Sequence, residues 1–514
     1  MVTNLEEAVP SDGSRLQPLH NLNLRRAAWA ESLTSPVVFW VPEYLAALCG
    51  REAPDFFDWR SDTVTFPVVP PQHFSEVVPL RGEGMLSGFP PASFRRARLD
   101  ELLSRLHTTR EAVNPTLLRA RARWLEEAAE HWVFLDDADK ADRAFHEALV
   151  IRRQLGDLSE IGRAFSDYAL ALTYAGRLPP ARNAAMEAVR IRQDVITAHP
   201  ADAQWQRDLS VSYERLGDVQ QAQGDLAGAL ASYRQSLTIR EKLTQQDPGN
   251  AEWQRDLSVS YERLGDVQQA QGDLAGALAS YQQSLTIREK LTQQDPGNAQ
   301  WQRDLSVSYE RLGNVQQAQG DLAEALASHR QSLAIREKLT QQDPGNAQWQ
   351  RDLSVSYSKL GDVQQAQGDL TEALASYRQG LTIAEKLVQQ DPGNAQWQRD
   401  LSVSYERLGD VRQAQGDFAG ALVSYRQGLT IREKLAQQDP GNAQWQADMV
   451  TSLIRISSVF DPAQPEGHKV AREALLRAVS IAERIQQTGT FTSHEQKGWA
   501  DDLKRRLAEF NGPE

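Results

Sequence analysis

The sequence predicts an all-α solenoid of stacked helical hairpins, with a small α/β unit near its start. Three observations predict it. A unit of 48 residues recurs almost word for word, its apolar residues are spaced as on helices, and it is broken at two fixed places by glycine and proline. The unit starts at Trp205 and returns at Trp253, Trp301, Trp349 and Trp397, with an incomplete copy from Trp445.

Within one copy Trp205, Leu209, Tyr213 and Leu216 step by four or three residues, which gives one apolar helical stripe. Gly224-Asp225 ends that helix, and Asp225 is placed to cap the next. In two copies a capping box is expected, Asp321 with Glu324 and Asp369 with Glu372. The second helix carries Leu226, Ala229, Leu230, Tyr233, Leu237, Ile239 and Leu243. It stops at QQDPGN, through Pro248 and Gly249, and Asn250 caps the helix that follows. Each helix is about 20 residues, roughly 30 Å long. Two such helices cannot hide both stripes alone, so hairpins must stack on their neighbours.

The series Tyr213-x-x-Leu216-Gly217, Gly224, Ala229, Tyr233, Ser236 and Asp247-Pro248 resembles the tetratricopeptide repeat. The resemblance implies a right-handed α-solenoid whose first helices line a concave, peptide-holding groove. That family's unit has about 34 residues; here each helix gains about two turns, which keeps the stripe facing the same way. Gln220 departs from the family pattern, which has an aromatic there, with apolar Val219 beside it. Looser copies, EALVIRRQ (147–154), EAVRIRQD (187–194) and RAVSIAER (477–484), extend the array to roughly eight hairpins. EQKGWADDLKRRLAEF then reads as a capping helix. The near-identity of the central copies reflects recent duplication.

The expected organisation is a disordered tail (1–20), a small α/β unit (21–66), a Pro-rich linker (67–93), degenerate hairpins (94–204), five regular repeats (205–444), and a last hairpin with its capping helix (445–514). The α/β unit rests on helix–strand–helix–strand patterning from NLNLRRAAWAESL through WRSDTVTFP. LNLRRAAW, SPVVFWVPEYL and APDFFDWRS together resemble a segment of large bacterial signalling and defence repeat proteins. There it follows a P-loop NTPase-like module that this sequence lacks.

Acidic residues outnumber basic ones by 69 to 56, for a net charge of −13, which disfavours nucleic acid and anionic membranes as partners. The single cysteine, Cys49, allows no intrachain disulfide, and MVTNLEEAVPSDG has no signal-peptide pattern, so a cytoplasmic location is expected. No GxxxxGK[ST], HExxH or CxxC occurs, and Gly82–Gly88 is followed by FPP where a nucleotide-binding helix would start. No catalytic residue, cofactor or metal is expected. Asp55, Asp58 and Arg60 lie between two apolar elements, as an active-site or switch loop at a strand end would, and a salt-bridged turn is the plainer reading. The tryptophan ladder is expected to pack rather than to stack on a ligand.

A second line on the first helix is the candidate partner-binding face. It comprises Arg207, Arg255, Arg303, Arg351 and Arg399, then Glu214, Glu262, Glu310, Ser358 and Glu406. Asp218, Asp266, Asn314, Asp362 and Asp410 follow, then Gln221, Gln269, Gln317, Gln365 and Gln413. Carried over from the family, these would line the concave groove and prefer a basic or extended polypeptide, with amides for its backbone. The bland alternative is a solvated face. The glutamates argue against the chaperone-type clamp for a C-terminal carboxylate. The expected function is a non-enzymatic scaffold binding a protein or extended peptide, with homo-oligomerisation open. The alternatives are a sensor or regulatory subunit of an NTPase-linked system, or an enzyme in 21–66.

Overall fold

The computed structural model describes residues 92–111, 113–438, 442–463, 467–488 and 498–510. The chain divides between Glu83 and Gly84 into two units, and the described residues belong to the second. The expected tail and α/β unit, nearly all of the linker, Cys49, Asp55, Asp58, Arg60 and the Gly82–Gly88 stretch lie outside the described residues.

Among the described residues are 18 helices. A leading helix, α1 (Ala92–Thr108), packs on the first of eight hairpins. Two irregular hairpins come first: α2 (Pro115–Phe134) with α3 (Ala138–Leu155), then α4 (Leu158–Tyr174) with α5 (Leu178–Ala198). The regular ones begin with α6 (Ala203–Ala222) and α7 (Leu226–Gln246), then α8 (Ala251–Ala270) and α9 (Leu274–Gln294). They continue with α10 (Ala299–Gln319) and α11 (Leu322–Gln342), then α12 (Ala347–Gln367) and α13 (Leu370–Gln390). The fifth is α14 (Ala395–Ala414) with α15 (Phe418–Gln438). Last come α16 (Ala443–Ser458) with α17 (His468–Thr488), and α18 (Trp499–Glu509) packed on α17. Each second helix packs on both its own first helix and the next one, and successive first helices touch as a row.

The helix boundaries follow from backbone chemistry. Asn250, Asn298, Asn346, Asn394 and Asn442 each accept the main-chain N–H of the tryptophan three residues on, at 3.0–3.2 Å. This satisfies one of the N–H groups a helix start leaves without an intrahelical partner. At the hairpin turn Gly224 and its four equivalents adopt φ between 80° and 88°, the left-handed conformation that ends a helix without Cβ strain.

The expected capping box is not formed. Asp225, Asp273 and Asp417 accept from the N–H of Gly228, Gly276 and Gly420 at 2.9 Å, whereas Asp321 and Asp369 make no side-chain cap bond. The reason is steric: a Cβ on Gly228 would lie 2.4 Å from an Asp225 carboxylate oxygen, and Glu324 and Glu372 bring that Cβ with them.

The core is a row of joints. Ala229 and Tyr233 close on Val267 of the next hairpin, Ala277 and Tyr281 on Val315, and Ala373 and Tyr377 on Val411. The ladder tryptophans Trp205, Trp253, Trp301, Trp349, Trp397 and Trp445 are half-buried rather than central. Larger apolar clusters close the ends, around Leu125, Phe145 and Tyr168 at one and Leu453, Leu475 and Leu503 at the other.

In each regular first helix a glycine lies under the aromatic ring of its partner helix. A Cβ on Gly265 would sit 2.6 Å from the Tyr281 ring. Gly265→Ala is therefore expected to destabilise the array by about 1–2 kcal/mol net, overpacking outweighing the gain in helix propensity. Gly249→Ala, whose Cβ would meet only a carboxylate oxygen at 3.4 Å, serves as the near-neutral control. Urea denaturation followed by helical circular dichroism reads both; equal midpoints would refute the packing account.

Candidate functional site on the row of first helices

The five arginines at the start of the candidate line join one first helix to the next. Arg207 pairs with Asp256 at 2.6 Å, Arg255 with Asp304, Arg303 with Asp352 and Arg351 with Asp400 at 2.5 Å, and Arg399 with Asp448 at 2.6 Å. Each aspartate is the sixth residue of its helix.

The glutamates turn inward. Glu214 is 2.7 Å from Arg240, and Glu310 is 2.8 Å from Arg336. Glu262 is gripped by Arg288 at 2.6 and 2.8 Å, and Glu406 by Arg432 at 2.5 and 2.9 Å. Glu262 and Glu406 are only 2% and 3% exposed. These carboxylates, expected along an open groove, are engaged by guanidinium groups of their own second helix. Burial pushes the Glu214 carboxyl up, but Arg240, Arg263 and Arg215 outweigh it and hold it below the ordinary range.

Each of those arginines reaches further. Arg288 also donates to Ser258 Oγ at 3.1 Å, and across the joint to the Asp304 carbonyl at 2.7 Å and Ser308 Oγ at 3.0 Å. Arg240, Arg336 and Arg432 repeat this set with Ser210, Asp256 and Ser260, with Ser306, Asp352 and Ser356, and with Ser402, Asp448 and Ser452. One side chain thus ties three helices together.

The aspartates and glutamines meet the tyrosine of the second helix. Tyr233 OH lies 2.8 Å from Asp218 and 3.1 Å from Gln221, and Tyr281 lies 2.7 and 3.1 Å from Asp266 and Gln269. Tyr377 repeats this with Asp362 and Gln365, and Tyr425 with Asp410 and Gln413. The same aspartates receive an arginine from the following first helix: Arg311 reaches Asp266 at 3.5 Å, Arg407 reaches Asp362, and Arg455 reaches Asp410 at 3.1 Å. All of these candidate residues are brought onto one row; none of the carboxylates is left without an intramolecular partner.

The functional partners that the helical spacing did not single out are the second-helix arginines and tyrosines. Their signal is in the sequence as coupled replacement. Where Ser358 stands for the glutamate, Ala384 stands for the arginine; where Asn314 stands for the aspartate, His329 stands for the tyrosine. His329 is 1% exposed, and burial, against Glu310 and with Lys359 and Arg336 nearby, pulls its pKa down to about 4. Among the described residues no group of three or more His, Cys, Asp or Glu is arranged to hold a metal, and no helix is long and apolar enough to cross a membrane.

Arg288→Ala is expected to cost about 3–5 kcal/mol, because Glu262 is left charged and buried. Adding Glu262→Ser recreates the Ser358/Ala384 pairing and is expected to recover more than half of the loss, read as the urea midpoint. A double variant no better than the single would remove the pairing argument. The buried imidazole makes a second prediction. Its folded pKa lies below the unfolded value of about 6.5, so the unfolded chain binds the extra proton and stability falls as pH drops from about 6.5 toward 4. Between pH 7 and 4.5 the parent is expected to lose about 2–3 kcal/mol more than His329→Tyr. Parallel pH–stability curves would contradict this.

The repeats match known families. One tetratricopeptide repeat model covers residues 256–338, 304–386 and 352–434, and a second covers 209–248. No curated protein matches the chain. Among solved structures, BtubC (BKLC) from P. vanneervenii is similar at 19% identity over 51% of this chain and 92% of that one, with a TM-score of 0.40. A putative kinesin light chain from Podosopora anserina with nearly identical TPR-like repeats is 20% identical over 46% and 98%, at 0.35. The apo form of RapI is 10% identical over 81% and 99%, at 0.41. At these scores no conclusion rests on the structural likenesses. Turn chemistry and the family match agree although the unit is longer, and residues 209–248 and 256–434 are an array of tetratricopeptide repeats.

Proposed function

We propose that the chain is a non-enzymatic adaptor that holds an extended polypeptide along its row of first helices. The observation carrying this reading is the glutamine ladder. Tyr233, Tyr281, Tyr377 and Tyr425 each fix one amide atom of Gln221, Gln269, Gln365 and Gln413, so the other amide atom is held in place along the row. At Gln413 that atom is Nε2, and it donates to a main-chain carbonyl, that of Ser458, at 2.9 Å. The ladder therefore already performs, once and internally, the bond it would offer to a guest backbone. Preset amides lower the ordering cost of such binding. Recognition through main-chain groups suits an extended partner with modest sequence demands. A basic partner draws less support than the acidic ladder alone suggests, because the carboxylates of the row are already paired.

The test is selection of peptides on the full chain from a displayed library, followed by titration against Gln221→Ala/Gln269→Ala/Gln365→Ala. The triple variant is expected to bind at least tenfold more weakly while keeping its helical signal. Undiminished binding by a folded triple variant would discard the ladder as the recognition element.

A further inference from the structure

Arg215, Arg263, Arg311, Arg407 and Arg455 share one position of the repeat and each has a carboxylate within 3.7 Å, whereas Lys359, at the same position, has none among the described residues. Where α6 and α7 meet α8, Glu214 and Asp218 face Arg240 and Arg263. Glu262 and Asp266 face Arg288 and Arg311 at the next joint, and Glu406 and Asp410 face Arg432 and Arg455 at the last. At the joint that lacks Glu and Arg, Asp362 alone faces Arg407. In each of these every acid faces a guanidinium, and at the first Arg215 adds a further one, 3.2 Å from Asp218.

Where α10 and α11 meet α12, Glu310 faces two cations, Arg336 and Lys359, because Asn314 replaces the aspartate. One positive charge is left over. Glu310 belongs to Arg336, Asp362 belongs to Arg407 and Tyr377, and Lys359 forms no ion pair with a described residue. Beside Lys359 stands Ser358 in place of a glutamate, its hydroxyl turned onto the Ser354 carbonyl. The lack of anionic groups is therefore local to this joint.

The second observation is steric. His329 replaces tyrosine, so the ring ends short of the point where the other hairpins place a phenol oxygen between Asp and Gln. Its Nε2 lies against Gly313, next to Asn314, is fully enclosed, and has no hydrogen-bond partner among the described residues. In one tautomer it is a donor, as are the Asn314 amide and the Lys359 ammonium. Burial, with Arg407 and Arg311 nearby, holds the Lys359 ammonium below its ordinary pKa despite Glu310, so a bound anion would relieve it.

We propose that this joint is an oxyanion site, in which Lys359, Asn314 and His329 take the carboxylate or phosphate oxygen that an aspartate supplies in the other joints. The shared chemistry is a single small oxyanion, free or carried on an acidic side chain. The site stands whether or not the glutamine ladder binds polypeptide, since free anions read it directly.

The test uses the full chain and three probes: sodium acetate, inorganic phosphate, and a short glutamate-containing peptide with its glutamine counterpart as control. Chloride holds ionic strength constant, and the melting midpoint is followed against probe concentration. The parent is expected to show a saturable rise. Asn314→Asp supplies the carboxylate found at the neighbouring joints, so it should fold, and Lys359→Gln removes the cation. Both are expected to weaken the apparent affinity at least tenfold, with helical content checked by circular dichroism. Tighter binding of the glutamate peptide than of acetate would assign the oxyanion to a polypeptide, and equal binding would assign it to a free ion. No saturable response in the parent, or the same response in Asn314→Asp, would overturn the site.

Discussion

A guanidinium buried between two hairpins is the interaction on which the regular array depends. Arg288 joins its own first helix through Glu262 and Ser258, and the next one through the Asp304 carbonyl and Ser308. Taking this charge out of water is costly, and the matching carboxylate offsets that cost only because the N–H groups are well supplied with acceptors. The fourth regular hairpin shows the apolar solution: Ala384 sits in a cluster with Leu381, Leu401 and Leu408. Both solutions pack, so burial alone does not explain the arginine. What the arginine adds is position. Bonds to one main-chain carbonyl and one serine hydroxyl on the next hairpin hold only in one axial register, whereas near-identical apolar stripes would tolerate sliding.

The hairpin architecture was legible because it depends on local chemistry: the Gly-Asp break, the Asp-Pro-Gly-Asn turn and the stripe of Leu209, Tyr213 and Leu216. The fate of the second line was less legible for a physical reason. A helical period says that Glu214, Asp218 and Gln221 share a side, but not whether that side meets water or a neighbour's cation. First helices are flanked by second helices of two hairpins and meet each other along the row, so a shared side can face either a neighbour or open space. Spacing along one helix carries no information about Arg240, which lies 26 residues away. The paired loss of Glu and Arg at Ser358 and Ala384 does carry it, because two copies that differ at both positions reveal a contact that no single copy does.

The charge balance points the same way. A net charge of −13 suggests an acidic groove. In the structure the row of first helices is close to neutral, and exposed acids gather instead at hairpin ends, in caps such as Asp273, Asp321 and Asp417 and turns such as Asp247, Asp295 and Asp343. Carboxylates at the N-caps suit the helix dipole, those at Asp247, Asp295 and Asp343 stand instead at C-caps, and repulsion among them is screened by solvent. Global charge is therefore set by turns and caps, while the inner row is set by pair matching, so one does not forecast the other.

Uniform repetition works against specific recognition, since five equal hairpins offer a ligand five equal registers. Departures from the repeat resolve the difficulty. Asn314, His329, Ser358, Lys359 and Ala384 fall in the third and fourth regular hairpins and change charge, length and hydrogen bonding while leaving the backbone devices of turn and cap intact. A folded array tolerates such changes because each joint depends only on its neighbours. The result is a joint whose lysine lacks the carboxylate partner that its arginine counterparts have. On a surface otherwise periodic, a lysine without the ion pair that its counterparts make is what would give an extended guest a fixed point from which to be read.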